Sequence, residues 1–206
     1  MAWLNFLDSM EFLKSNEIEV PDYQVIRSRK ELEAQKWLPC VLKLSSGLLH
    51  KTEEHAVITD IYSKEELFSA YDKLRSVLEK QGIKGEIVLQ RQIKGIELII
   101  GVSSDQQFGK VILFGQGGIY TEILDDTSIR LLPVTKKDIE EMVFSTKVSK
   151  LFSARGKTYD TKKLVALVED VSRVSKKLLE LDLNPVILTE DGVYIVDARV
   201  NLEDRK

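Results

Sequence analysis

Apolar residues near the start of the chain recur at helical spacing. Leu4, Leu7, Phe12 and Leu13 predict a short amphipathic helix that ends before the stretch Glu17 to Tyr23 with its Pro21. A strand over Tyr23 to Ile26 follows. Ser28 can cap a helix over Arg29 to Gln35, with Glu31 at capping-box spacing, and Pro39 then admits a strand over Cys40 to Leu44. A second strand, Ala56 to Ile61, lies beyond a polar connection. Ser63 and Glu66 repeat the capping-box pattern and open a helix over Lys64 to Gln81. Its Leu67, Tyr71, Leu74, Val77 and Leu78 share one face, and Gly82 stops it.

From Glu86 the period becomes that of strands. Runs at Ile87 to Gln92, Glu97 to Val102, Lys110 to Phe114, Thr121 to Leu124 and Ile129 to Leu132 read as a meander, hence antiparallel. Two helices follow, Lys136 to Phe144 after Thr135, and Thr161 to Leu181 with Leu164, Leu167, Val168, Val171, Val174 and Leu178 along one face. A hairpin closes the chain, its strands Val186 to Leu188 and Val193 to Val196 turned by Glu190-Asp191-Gly192. The class is α+β. Two lobes joined by short crossings near residues 17–22 and 90–95 are expected, because no long linker or internal repeat interrupts the pattern.

Composition narrows the function classes. At 206 residues, 43% hydrophobic and 31% charged, the chain reads as one soluble bilobal unit, with no run able to span a bilayer. Its first residues lack the basic and apolar regions of a secretory signal, so a cytoplasmic location is expected. The single Cys40 excludes an intrachain disulfide, leaves too few thiolates for a zinc or iron–sulfur site, and is expected to pack in a strand. A net charge of −3 without basic blocks argues against nucleic acid as a partner.

Four places could carry chemistry. Lys43, inside the apolar run Leu42-Lys43-Leu44-Ser45-Ser46, must snorkel to a wet face or pair with an anion such as a nucleotide phosphate. His50 and His55 lie in a polar connection. A histidine can accept a phosphoryl group with Lys51 steadying the charge, but this pair lacks the ligand set of a zinc site, and from the bare residues two ordinary loop histidines is the stronger reading. Phe114-Gly115-Gln116-Gly117-Gly118-Ile119 joins two strands, so it is neither a dinucleotide fingerprint nor a Walker loop. Gly115, Gly117 and Gly118 serve either a hairpin turn or a close backbone approach. Asp182 and Asn184, with Asp197 and Arg199 after the hairpin, place oxygen ligands at two neighbouring strand ends, as hard Mg²⁺ requires.

The ordered set His50-Lys51-Thr52, Asp105-Gln106-Gln107-Phe108-Gly109, Phe114 to Ile119, Ala154-Arg155-Gly156, Leu181 to Pro185 and Asp197-Ala198-Arg199 resembles the ATP-grasp β subunit of ADP-forming acetate–CoA ligases, from about Leu13 to Val200. The resemblance implies an ATP-grasp fold whose two lobes grip ATP or ADP. The first lobe would span residues 17–92, and the second residues 93–206 with the N-terminal helix 1–16. Lys43 would contact phosphates, the segment Leu89, Gln90, Arg91 and Gln92 would meet adenine through its backbone, and Asp182, Asn184 and Asp197 would gather Mg²⁺ beside Arg199. His50 would relay a phosphoryl group between nucleotide and a CoA-binding α subunit, in an α2β2 heterotetramer.

One segment departs from the family pattern. Where the family has an acidic residue, a variable residue and two glycines, this chain reads Glu53-Glu54-His55-Ala56, so side chains stand where backbone amides usually lie over phosphates. The competing expectation is therefore a nucleotide-binding subunit without turnover.

Overall fold

The computed structural model describes residues 3–47, 56–105, 107–118 and 126–203; the strand expected at Thr121 to Leu124 lies outside them. The chain divides into two units, one of Asn5–Leu7 and Pro21–Ile93, the other of Met1–Leu4, Asp8–Val20 and Lys94–Lys206. The N-terminal helix α1 (Phe6–Ser15) is shared, its first residues belonging to the former unit and the remainder to the latter.

In the Pro21–Ile93 unit, β1 (Tyr23–Ile26), β2 (Cys40–Ser45), β3 (Val57–Ile61) and β4 (Glu86–Arg91) form a four-stranded antiparallel sheet of order β1-β4-β2-β3. Helices α2 (Arg29–Glu33) and α3 (Lys64–Gln81) supply the other half of its core. Leu42 and Leu44 of β2 and Ile87 and Leu89 of β4 meet Leu67, Leu74 and Leu78 of α3. Each fully enclosed leucine contributes about 1.5–3 kcal/mol. Of the two expected capping boxes the one at Ser63 forms: Ser63 Oγ accepts from Glu66 N–H, the Glu66 carboxylate accepts from Ser63 N–H, and Gly82 ends α3 in the left-handed region at φ 61°. The one at Ser28 does not, because Ser28 Oγ donates to the Glu31 carboxylate and caps no backbone N–H. Cys40 is buried here, and desolvation pushes its thiol up to about 11, so it stays protonated and inert.

In the other unit, β5 (Ile96–Asp105), β6 (Gly109–Gln116), β7 (Thr127–Leu131), β8 (Leu178–Leu188), β9 (Val193–Ile195) and β10 (Arg199–Leu202) form a six-stranded antiparallel sheet. Its path is β10-β8-β5-β6-β7, with β9 also on β8. Asp105 Oδ1 turns the β5–β6 connection by accepting the N–H groups of Gln107 and Phe108. The helix α4 (Lys136–Phe144) opens on a Thr135–Asp138 capping box and packs on β6 and β7. A 3₁₀ segment, Val148–Gly156, follows, anchored by Asp126, whose carboxylate accepts from the N–H groups of Lys147 and Val148.

Two expectations are corrected here. The helix α5 (Thr161–Val174) ends seven residues before Leu181, passes through one 3₁₀ turn at Ser175–Lys177, and gives way to β8. Leu178 and Leu181 suit a helical stripe and a buried strand face equally well. Pairing of β8 with both β5 and β10 decides for the strand, and Lys110 Nζ reinforces the break by donating to the carbonyls of Ser175 and Lys176. The strand β10 was not expected at all, because Arg199–Leu202 is short and weakly patterned.

Candidate nucleotide and metal site residues

Strand alternation dictates where Lys43 points. Leu42 and Leu44 face the α3 core, so Lys43 faces the opposite side of the sheet, beside Val88 of β4 and Val57 of β3. Of the two alternatives open to it, a wet face is not the one observed: Lys43 is only 6% exposed. Its Nζ stands 4.9 Å from the centroid of the Phe6 ring. Two residues on, Ser45 Oγ accepts from Leu7 N–H at 3.1 Å and donates to Asn5 Oδ1 at 3.1 Å.

The four residues expected at the nucleotide base have four different environments. Leu89 lies in the α3 core. Gln90, on the Lys43 side between Tyr23 and Val41, has its whole carboxamide enclosed, with neither Oε1 nor Nε2 hydrogen-bonded among the described residues. A buried amide left in this state costs about 1–3 kcal/mol. Arg91 is exposed and lies 5.8 Å from the Trp37 ring centroid. Gln92 is tied to Asp60: its Oε1 accepts from Asp60 N–H, and its Nε2 donates to Asp60 Oδ1, each at 2.9 Å. The backbone N–H of Gln92 donates to the Pro39 carbonyl. Ala56 is buried in the core of this unit, and its carbonyl accepts from Leu44 N–H. His50, Glu53 and His55 lie outside the described residues.

In the other unit the sheet register places the candidate oxygen donors. Arg199 of β10 stands across from Asp182 of β8, while Ile195 of β9 stands across from Val186 of the same strand. Both pairs obey one register, and Val196 N–H donates to the Pro185 carbonyl between them. That register sets Asp197 across from Asn184. Asp182, Asn184, Asp197 and Arg199 thus form a two-by-two block on adjacent chain segments. Asp182 and Asn184 lie inside β8 rather than at a strand end, which corrects the expectation. All but exposed Arg199 are half-buried, and Asp197 Oδ1 accepts from Ala198 N–H. Among the described residues no group of three or more His, Cys, Asp or Glu could hold a metal ion by itself.

The glycine turn abuts this block. A side chain at Gly115 would overlap the Asp126 carbonyl, one at Gly117 the Leu98 carbonyl, and one at Gly118, where φ is 72°, the Glu97 carboxylate. These glycines let β6 close on β5 and on the chain entering β7. Gly118 N–H then donates to Asn184 Oδ1 at 2.9 Å, fixing the orientation of that amide. Neither this link nor the approach of Glu97 was foreseen, since both need the adjacency of β5, β6 and β8. A separate cavity of about 490 Å³, lined by Phe12, Ser15, Asn16, Lys176, Lys177, Leu202 and Glu203, contains none of the residues singled out from the sequence.

The chain thus holds a small antiparallel sheet with a buried lysine and a larger one with an acid–amide block, and comparison with known proteins gives its family. The ATP-grasp domain family matches residues 1–202. A β subunit of acetate–CoA ligase [ADP-forming] I from Pyrococcus furiosus is 32% identical, with 95% of this chain and 90% of that one covered. Acetate–CoA ligase [ADP-forming] II of Archaeoglobus fulgidus is 35% identical over 89% of this chain, which spans only 27% of that longer protein. An acetyl-coenzyme A synthetase from Ca. Korarchaeum cryptofilum, solved with coenzyme A and Ca-AMPCP, superposes with a TM-score of 0.84 at 30% identity, covering 98% of this chain and 94% of that one. The chain belongs to the ATP-grasp domain family and is similar over nearly its whole length to the β subunit of an ADP-forming acetate–CoA ligase.

Proposed function

We propose that this chain is the nucleotide-binding, phosphoryl-transferring β subunit of an ADP-forming acyl-CoA synthetase of the acetate type. With a CoA-binding α chain, in an α2β2 assembly in the cytoplasm, it would help convert acyl-CoA, ADP and phosphate to free acid, CoA and ATP, reversibly. The observation that carries this reading is the block of Asp182, Asn184, Asp197 and Arg199, set by the register of β8 with β9 and β10. Two carboxylates and an amide are too few for a bare cation. They fit a magnesium ion that arrives with its nucleotide, because phosphate oxygens and water complete the six positions. When bound there, Mg²⁺ supplies charge neutralisation on the phosphates.

The chain's own residues supply positioning, which phosphoryl transfer needs more than covalent chemistry. Lys43 draws the phosphates to the small sheet. Arg199 adds a cation beside the carboxylates. Gly118 keeps Asn184 Oδ1 in one orientation. His50 acts as carrier: its ring nitrogen takes the phosphoryl group from the α-chain donor as the donor–phosphorus bond breaks, and a terminal oxygen of ADP then displaces the ring nitrogen to give ATP.

A second reading, nucleotide binding without turnover, is favoured by Glu53-Glu54-His55-Ala56 replacing the usual glycines. One assay separates the two. The chain co-expressed with its cognate CoA-binding chain is given acetyl-CoA, phosphate, ADP and Mg²⁺, and ATP formation is followed. The proposal expects ATP from the pair and none from either chain alone, with loss of phosphoryl transfer in His50→Ala. An inactive pair that still binds Mg·ADP would establish the second reading instead.

A further inference from the structure

We infer that Phe6 is a positioning residue for Lys43: its ring face holds the ammonium in place for an incoming phosphate, an assignment that rests on reading Lys43 as a phosphate contact. An ammonium drawn out of water needs an anion, hydrogen-bond acceptors or an aromatic face to offset lost hydration. Phe6 supplies the aromatic face. The 4.9 Å from Lys43 Nζ to the ring centroid falls inside the roughly 6 Å at which the ring quadrupole attracts a cation.

The ring is itself held. Tyr23 of β1 meets it edge-on, with centroids 6.0 Å apart and planes at 73°. The residues on either side of it, Asn5 and Leu7, are both tied to Ser45 Oγ. Lys43 and Ser45 alternate onto the same side of β2, so the strand that carries the lysine also clamps the segment that carries its aromatic partner. Phe6 is 8% exposed, and Asn5–Leu7 cluster with the Lys43 sheet although the rest of α1 does not.

The chemistry of a ring face matters here. A carboxylate in this place would neutralise Lys43 and compete with the phosphate. A neutral ring at this place adds no charge of its own to compete with the phosphate.

The test replaces Phe6 in the full chain by phenylalanines of increasing fluorination, which weaken the face potential while nearly keeping ring size, and uses Mg·ADP as probe. Affinity should fall stepwise, by about 2- to 30-fold across the series, on the scale of a cation–π contact. The slope should vanish in a Lys43→Met background, and Phe6→Tyr should bind like the parent. A flat series in a protein that binds Mg·ADP overturns the inference. A second readout is independent of nucleotide: the acetylation rate of Lys43 by acetic anhydride at fixed pH. It should rise with fluorination, because a weaker face favours the free amine. Unchanged rates overturn the inference. Rising rates in a protein that binds no nucleotide would keep the Phe6–Lys43 pairing and remove the phosphate reading instead.

Discussion

Single residues here are constrained mainly by what lies across a sheet. Gly117 shows it: a methyl group there would overlap the Leu98 carbonyl, so Gly117→Ala must push β6 from β5. A loss of about 1–3 kcal/mol is expected, the range for overpacking, and thermal melting of the variant measures it. Asp105 makes a different prediction. The N–H of Phe108, and then that of Gln107, hold its carboxyl below the ordinary 3.8. A depressed folded value means the stabilisation is present above the unfolded carboxylate value, about 3.9, and is lost as pH falls through the lower folded one. Acid melting of Asp105→Asn should therefore depend less steeply on pH below about 4 than that of the parent; equal slopes would remove the turn from the acid response. Gly117 is legible in the sequence as a candidate turn residue, and Asp105 only as part of a family-like motif. Their partners are not legible there, because Leu98 and Gly117 are neighbours only once the sheet order is known. The same holds for Gly118 and Asn184, and for Phe6 and Lys43.

Elements were legible where signals were local. The boxes at Ser63 and Thr135 set the starts of α3 and α4, and Gly82 the end of α3. Ser63→Ala should cost about 1 kcal/mol, since it leaves Glu66 N–H without its cap; a chemical denaturation midpoint is the measurement. Elements failed to show where tertiary pairing decides, as at β8, whose Leu178 and Leu181 continue the α5 stripe. The sequence singles out Asp182, Asn184 and Asp197 as candidate oxygen donors, while their placement needs β10. Because β9 and β10 share one register on β8, the spacing between Ile195 and Arg199 is fixed. One residue inserted after Val196 would break the opposition of Asp197 to Asn184 or of Arg199 to Asp182. Mg²⁺-dependent ADP binding should drop by about tenfold or more, the scale on which even outer partners of a metal count. The same insertion at Asp191, in the hairpin tip, should leave binding within about twofold, since a flexible tip absorbs length at little cost. Isothermal titration of both variants compares them, and equal losses would mean that the register does not set the site.

At the scale of the molecule, no described helix is long and apolar enough to cross a membrane. Ligand linkage gives the global prediction: Mg·ADP at about 100 times its dissociation constant should stabilise the chain by about 2.7 kcal/mol, and ADP with a chelator by clearly less, as read from melting curves. The divided N-terminal helix has a consequence for inheritance. Asp8–Val20 group with Lys94–Lys206, where Met10 and Leu13 are fully enclosed, yet Pro21–Ile93 intervenes in the gene order. A crossover between homologous genes at the Ile93–Lys94 junction alone would join the α1 of one parent to a partner surface shaped by the other. Viable chimeras should carry paired breakpoints that move residues 8–20 together with the C-terminal half, so the two units, although compact in space, are not exchangeable as cassettes.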